Sequence, residues 1–344
     1  MSELRQDLTS GDWVVIASGR AARPKFLNTK SSVRKPTPKK ECPFEDLRAS
    51  GNGPLIAVYP SEKNWRIAVI PNKYPAIERG TVCSVPFRYG IYHARTAVGT
   101  HRLVITRDHS RPFAALAPAD AVRVIGVLRD LHRAAAKDEC AAYVTSFYNY
   151  GPTAGASVWH PHYQVITLPI VPAHVAHSLR GANDYFRKSK RCVRCDIVTV
   201  ERRKRVRVVG ENAHAIALMP YAARHPFEVN ILPKRHWPSF RETPTETVDA
   251  AARLLQDVLR RIKEYLKDPD LNFFIHDTPL DGKEHPHHHW HIEVIPRITI
   301  DAGFEFSTNI EINSIDPDHA AAILRGGGRH FCTPRQNKKM NHIP

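Results

Sequence analysis

Gly155-Ala156-Ser157-Val158-Trp159-His160-Pro161-His162-Tyr163-Gln164 runs without a break into Val165-Ile166-Thr167-Leu168-Pro169. The second part is apolar and β-branched and reads as a buried strand. The polar cluster therefore sits where a loop of small residues feeds a strand. Side chains of an extended chain alternate with period two, which puts His160 and His162 on one face. A neutral imidazole can ligate a metal or attack phosphorus. A Gly/Ala/Ser loop in front of it lets phosphate oxygens come close to main-chain donors. The stretch reads as a reactive centre with His162 as the nucleophile.

Working outward, 344 residues are enough for two ordinary domains, each expected to have its own core. Hydrophobic residues make up 42%, the balance of a soluble globular protein. No stretch of eighteen apolar residues occurs, and Met1-Ser-Glu-Leu-Arg-Gln-Asp lacks the apolar region of a signal peptide. A cytoplasmic protein with no membrane partner is expected. The net charge of +16 favours polyanionic partners, either nucleic acid or phosphorylated small molecules. Much of the excess lies in Arg34-Lys-Pro-Thr-Pro-Lys-Lys40 and Arg202-Arg-Lys-Arg205, which read as solvated loops. These basic residues are not interleaved with aromatics, so a nucleic-acid partner is not expected.

The strands expected upstream are residues 13 to 16, 65 to 70 and 102 to 106, with Arg20 and Arg23 following the first and suited to clamp phosphate. Helical spacing covers residues 118 to 137, and residues 142 to 148 form a strand that delivers Asn149 to the glycine-bearing loop. The second half repeats this plan. Ile105-Thr-Arg-Asp-His109 matches Leu232-Pro-Lys-Arg-His236, and a second helix is expected over residues 246 to 266. Phe147-Tyr-Asn149 matches Phe274-Ile-His276, and His160-Pro-His162 matches His287-His-His289. His109 and His160 are 51 residues apart, as are His236 and His287. The class is therefore α+β, with two copies of one unit, each a mainly antiparallel sheet under a covering helix. The boundary falls near residues 172 to 190, giving a first domain of residues 1–178, a second of 179–325, and a mobile tail of 326–344.

Six cysteines occur in a chain without a secretion signal, so no disulfide framework is expected. Cys192-Val-Arg-Cys195 reads as the knuckle of a structural zinc site, completed by His236 and by His289 or His287. By the repeat, Cys42, Glu45, His109 and His160 should form a similar set, with glutamate in place of a second cysteine and Asp46 as a substitute oxygen ligand. The second copy has Glu284-His-Pro-His-His288 where the first has its small-residue loop, so catalysis is assigned to the first copy.

These segments resemble the galactose-1-phosphate uridylyltransferase family of the histidine-triad superfamily, including its adenylyl-transferring and phosphorylase-like relatives. The residues that carry the likeness include Leu8-Thr-Ser-Gly-Asp-Trp-Val-Val-Ile16, Arg20-Ala-Ala-Arg23-Pro24, Cys42-Pro-Phe44, Pro71-Asn72-Lys73-Tyr74-Pro75, Asp108-His109-Ser110, His160-Pro-His-Tyr-Gln164, Pro233-Lys-Arg-His236, His289-Trp290 and Gly303-Phe-Glu-Phe306. The resemblance implies two tandem histidine-triad-like units and transfer of UMP or AMP between a nucleoside diphosphate sugar and a hexose 1-phosphate through a nucleotidyl-histidine at His162. A phosphorylase or hydrolase is the alternative outcome. It also implies that Gln164 and Ser157 donate to the transferring phosphoryl group and that Arg20 and Arg23 neutralise phosphates. Asn72, Tyr74, Asn149, Gly155 and Ala156 would lie near the nucleotide. Two zinc ions and a homodimer complete the implication. Ser307-Thr308-Asn309 departs from the family's glycine-bearing sugar segment, which leaves the sugar open.

Overall fold

The computed structural model describes residues 2–22 and 34–327. In chain order, a hairpin of β1 (Glu3–Gln6) and β2 (Trp13–Ile16) precedes β3 (Ala57–Tyr59), β4 (Ile67–Pro71) and a second hairpin, β5 (Pro86–Tyr89) with β6 (Tyr92–Arg95). β7 (His101–Thr106), α1 (Pro118–Ala135), β8 (Tyr143–Tyr150) and β9 (His162–Leu168) complete the first half. α2 (Ala173–Ser189) and α3 (Val193–Lys204) lead to β10 (Val208–Glu211), β11 (Ala215–Leu218), β12 (Val229–Pro233), α4 (Thr245–Tyr265), β13 (Leu271–His276) and β14 (His291–Pro296). α5 (Gly303–Thr308), β15 (Ile312–Asn313) and α6 (Pro317–Ala322) follow.

Ten strands make one antiparallel sheet in the order β10-β11-β12-β14-β13-β8-β9-β7-β4-β3. The order mirrors itself about the centre: β8, β9, β7, β4 and β3 run outward on one side as β13, β14, β12, β11 and β10 do on the other. Phe147 faces Phe274 across the central pair, and an approximate two-fold axis through that pair exchanges the units. Register also corrects the expected repeat. Leu103 pairs with Gln164, while its counterpart Asn230 pairs with Glu293. Tyr148 pairs with Tyr163, and its counterpart Ile275 with Ile292. His162 thus corresponds to His291 and His160 to His289. The equal spacing of 51 was a coincidence, because the second unit carries two extra residues before its last strand.

Pro118 opens α1 at a position where its missing N–H costs no hydrogen bond. Ala121, Val124, Ile125, Leu128 and Leu131 then bury one stripe of the helix. α4 does the same with Val248, Ala251, Leu255, Val258, Leu259 and Ile262. Both helices cover one face of the sheet and pack on each other, so a single hydrophobic core spans both units where one core per unit was expected. Phe113, Tyr148, Tyr163 and Phe273 meet ring to ring at its centre.

On the opposite face the halves differ. Leu103, Ile105, Ala68 and Ile70 are covered by Cys42, Phe44 and Leu47 of a loop, whereas Ile216, Leu218 and Leu232 are covered by Val198 of α3. Three further departures from the sequence reading follow. The stretch placed at the domain boundary is helix α2, because only Val175 and Ala182 of it are buried and its apolar signal is correspondingly faint. The division at residue 178 is crossed at the amino terminus, where β2 pairs in parallel with β15 and Val14 and Ile16 pack on Ala222. Cys83 and Cys140 form a disulfide, with Cα atoms 4.9 Å apart, that ties the base of the β5–β6 hairpin to the turn after α1. Residues 328–344, Cys332 among them, lie outside the described residues. No helix among the described residues is long and apolar enough to cross a membrane.

Candidate active site and metal-ligand clusters

His162 opens β9, and the pleat that turns Tyr163 and Val165 into the core turns His162 and Gln164 to the face covered by the Cys42–Leu47 loop. The His162 ring is buried against the edge of Phe44, centroids 5.3 Å apart. Its Nδ1 lies 3.0 Å from the carbonyl oxygen of His160. A carbonyl can only accept, so Nδ1 carries the proton and Nε2 keeps its lone pair. Burial pushes the His162 pKa down, which keeps the ring neutral.

Gln164 is oriented by a chain of donors. The Ala76 amide donates to His101 Nδ1 at 3.2 Å, which leaves the proton of that imidazole on Nε2. Nε2 then donates to Gln164 Oε1 at 2.8 Å. The side-chain amide NH2 of Gln164 is left free to donate. Burial holds His101 below the usual histidine range, consistent with a neutral ring. Asn72 Nδ2 donates to Nδ1 of the same ring at 3.4 Å and Asn72 Oδ1 accepts from the Tyr74 amide, while the Tyr74 side chain is 81% exposed. His101 carries no mark in the sequence, since it reads as the residue before an apolar strand.

The small-residue loop is held at several points. Gly151 and Gly155 have φ of +90° and +84°, left-handed values that glycine adopts without strain. The Ala156 amide donates to the Gly151 carbonyl, and Ser157 is exposed. Asn149 accepts from Asn272 Nδ2 at 2.9 Å, and the same Nδ2 reaches the Ala154 carbonyl at 2.8 Å. Arg20 lies in the 3-10 turn after β2, on the side of the sheet where β15 pairs, and Arg23 lies outside the described residues. Among the described residues, Arg34 approaches the loop. It stacks 3.9 Å from the centre of the Tyr150 ring and pairs with Asp268 and Asp270. The run from Arg34 to Lys40 was read as solvated, but the Arg34 side chain is only 9% exposed, because two carboxylates of the other unit satisfy it.

Four side chains converge behind His162. Cys42 Sγ is 3.5 Å from His160 Nδ1, and Glu45 Oε1 is 3.1 Å from His109 Nδ1 and 3.7 Å from His160 Nδ1. His109 Nε2 donates to the Thr37 carbonyl at 2.7 Å and His160 Nε2 to the Thr106 carbonyl at 2.6 Å. Both Nδ1 atoms therefore point lone pairs at a carboxylate and a sulfur. His109 Nδ1 and Glu45 Oε1 are buried without a hydrogen-bond partner. Sulfur, nitrogen and oxygen donors gathered this closely suit a cation. Asp46, the alternative ligand, instead accepts from the Arg48 and Ala49 amides.

In the second unit, Cys192, Cys195, His236 and His289 bring their ligand atoms together, with Cys195 Sγ 3.4 Å from His236 Nδ1 and 3.5 Å from His289 Nδ1. A hydrogen bond from Cys195 and the two nearby imidazoles favour the thiolate of Cys192. The set is His289 and not His287, whose carbonyl contacts Cys192. Two thiols and two imidazoles suit tetrahedral zinc.

Residues 95–325 match a family described as a domain of unknown function, DUF4921. Over 330 residues the chain is 32% identical to an ADP-glucose phosphorylase of Arabidopsis thaliana, covering 94% of this chain and 92% of that protein. It is 24% identical over 335 residues to a galactose-1-phosphate uridylyltransferase of Thermotoga maritima, covering 94% and 98%. The crystal structure of an ADP-glucose phosphorylase from Arabidopsis thaliana with bound ADP-glucose superposes with a TM-score of 0.80 at 29% identity, covering 94% of this chain and 99% of that one.

Proposed function

This chain belongs to the galactose-1-phosphate uridylyltransferase family of the histidine-triad superfamily, and we propose that it splits a nucleoside diphosphate hexose through a nucleotidyl-histidine at His162. His162 Nε2 attacks the α-phosphorus, the phosphoanhydride P–O bond breaks, and hexose 1-phosphate leaves. An oxygen of a second phosphate compound then attacks the same phosphorus and the P–N bond breaks. The single observation that carries this reading is the His162 ring itself: neutral, protonated on Nδ1 by its bond to the His160 carbonyl, and with Nε2 unprotonated on the strand face it shares with Gln164. The amide, with Ser157 on the loop, would donate to oxygens on which charge builds during transfer.

The likeness to a phosphorylase at 32% against a uridylyltransferase at 24% makes ADP-glucose with inorganic phosphate the first pair to test. UDP-glucose with a hexose 1-phosphate is the second. Enzyme mixed with α-labelled nucleotide sugar should acquire acid-labile label, released as nucleoside diphosphate by phosphate or as a new nucleotide sugar by hexose 1-phosphate. Label that persists in His162→Ala would sink the reading.

Zinc is the proposed ion for Cys42, Glu45, His109 and His160 and for Cys192, Cys195, His236 and His289. Bound to His160, it would supply only rigidity, fixing the residue whose carbonyl orients His162. Elemental analysis should find about two equivalents per chain, falling to about one in Cys195→Ser. We also propose a homodimer, supported by exposed Tyr74, Ile91, Ile300 and Phe306, and checked by light scattering of the eluted protein.

A further inference from the structure

We propose that Asp270, which belongs to the second unit, is a positioning residue for the loop that presents Ser157 and the loop amides to substrate in the first; this rests on the nucleotidyl-transfer reading. Asp270 immediately precedes β13 and is 3% exposed. Its Oδ2 accepts from the Thr153 amide at 2.8 Å and from Thr153 Oγ1 at 2.7 Å. Its Oδ1 accepts from Arg34 Nε at 2.8 Å. Both carboxylate oxygens are thus aimed by donors of the first half, and a buried carboxylate with charged and neutral donors makes strong, directional bonds.

The loop has been shaped around this carboxylate. A Cβ on Gly151 would lie 2.0 to 2.6 Å from the Asp270 side-chain atoms, so only glycine allows the approach. Asn272, two positions along β13 and on the same face, holds Asn149 and the Ala154 carbonyl. One strand end of the second unit therefore holds the chain before its 3-10 turn, at Asn149, and within the turn, at Thr153 and Ala154.

Arg34 extends the brace to the first metal-ligand set. Its Nη1 and Nη2 bond the side chain and carbonyl of Asp268, and three residues later the Thr37 carbonyl holds His109. Loop, strand end and ligand cluster are thereby linked through a short strap. The corresponding loop of the second unit has no such carboxylate: the Leu280 amide, counterpart of Thr153, bonds the Ala142 carbonyl.

The test uses the full-length chain. Asp270→Asn keeps the shape but turns a donor toward Arg34 or Thr153, Thr153→Val removes Oγ1, and Thr153→Ser restores it. Two quantities are read: the single-turnover rate of label transfer from α-labelled ADP-glucose or UDP-glucose to protein, and hydrogen exchange of the amides of residues 151 to 157. Asp270→Asn and Thr153→Val should slow labelling about ten- to a hundredfold, with Thr153→Ser near wild type and the nucleotide-sugar dissociation constant changed less than about threefold. Loop amides should exchange about tenfold faster while those of α4 do not change. Labelling at the wild-type rate in both variants, or slowing that only follows the fraction unfolded in a thermal melt, overturns the proposal. If the wild type takes up no label, the nucleotidyl reading fails, and exchange alone decides: unchanged loop amides overturn the positioning role and faster ones support it.

Discussion

The two halves of the sheet share strand order, register and a His-x-His pair, yet they present different chemistry on the same face. His291 repeats the His162 geometry, with Nδ1 3.3 Å from the His289 carbonyl. Its surroundings do not repeat. Where the first unit has Gln164, Asn149 and His101, the second has Glu293, His276 and Glu228, and His276 Nε2 is bound to Glu293 at 2.8 Å. α2 and α3 roof this face over a cavity of about 980 Å³, whereas among the described residues the Cys42–Leu47 loop and its neighbours cover the first. The ring geometry proposed for the nucleophile is thus kept in both units while its surroundings are not. The second unit has a carboxylate, Glu293, where the first has the Gln164 amide proposed to donate to the phosphoryl group, and the Asp270 contact to Thr153 is replaced there by a main-chain bond from Leu280 to Ala142.

The largest expected effect separates the two histidines. His162→Ala should lower nucleotidyl transfer about 10⁴-fold or more, and His291→Ala by less than about threefold, in steady-state assays corrected for folded protein. Equal losses would erase the distinction drawn between the halves. Phe273→Ala, in the shared core, should cost about 3–5 kcal/mol in urea unfolding and leave one cooperative transition. Two separable transitions would show that each half folds on its own core.

Gln164→Glu copies the second unit's residue into the first and should cost about 10²-fold in the single-turnover rate, because a carboxylate cannot donate to the phosphoryl oxygen. The smallest effect concerns counterpart positions that burial keeps uncharged. It lowers His101 and raises Glu228, the latter helped by Glu293. A carboxyl raised in the folded state binds its proton more tightly there than in the unfolded chain. Its stabilising contribution is complete below the unfolded value near 4.5 and is lost as pH rises toward the folded one. Glu228→Gln should therefore raise the melting temperature more at pH 8 than at pH 5. An equal or opposite change would mean that Glu228 is ionised in the fold.

Much of this was legible from spacing. The helices of residues 118 to 137 and 246 to 266, the strands around Ile67–Pro71 and His101–Thr106, and the Cys and His residues that come together in the two candidate metal-binding groups followed from periodicity and from Cys and His positions, because those signals are local. The brace was not. Arg34 sits in a basic run that looks solvated, and Asp270 lies more than a hundred residues from the loop it holds, with nothing nearby to mark it. The Cys83–Cys140 pair was hidden for the same reason, being brought together only by the turn after α1.

Residue type and short-range periodicity were enough to read the repeated α+β unit, most members of the two candidate metal-binding groups and which histidine carries a small-residue loop before it. The tertiary structure decided that the units share one sheet and one core and that His162 answers to His291 and not to His289. It also decided that a carboxylate of the second unit shapes the loop of the first. Those facts depend on strand register and on contacts between distant segments, which no local pattern encodes.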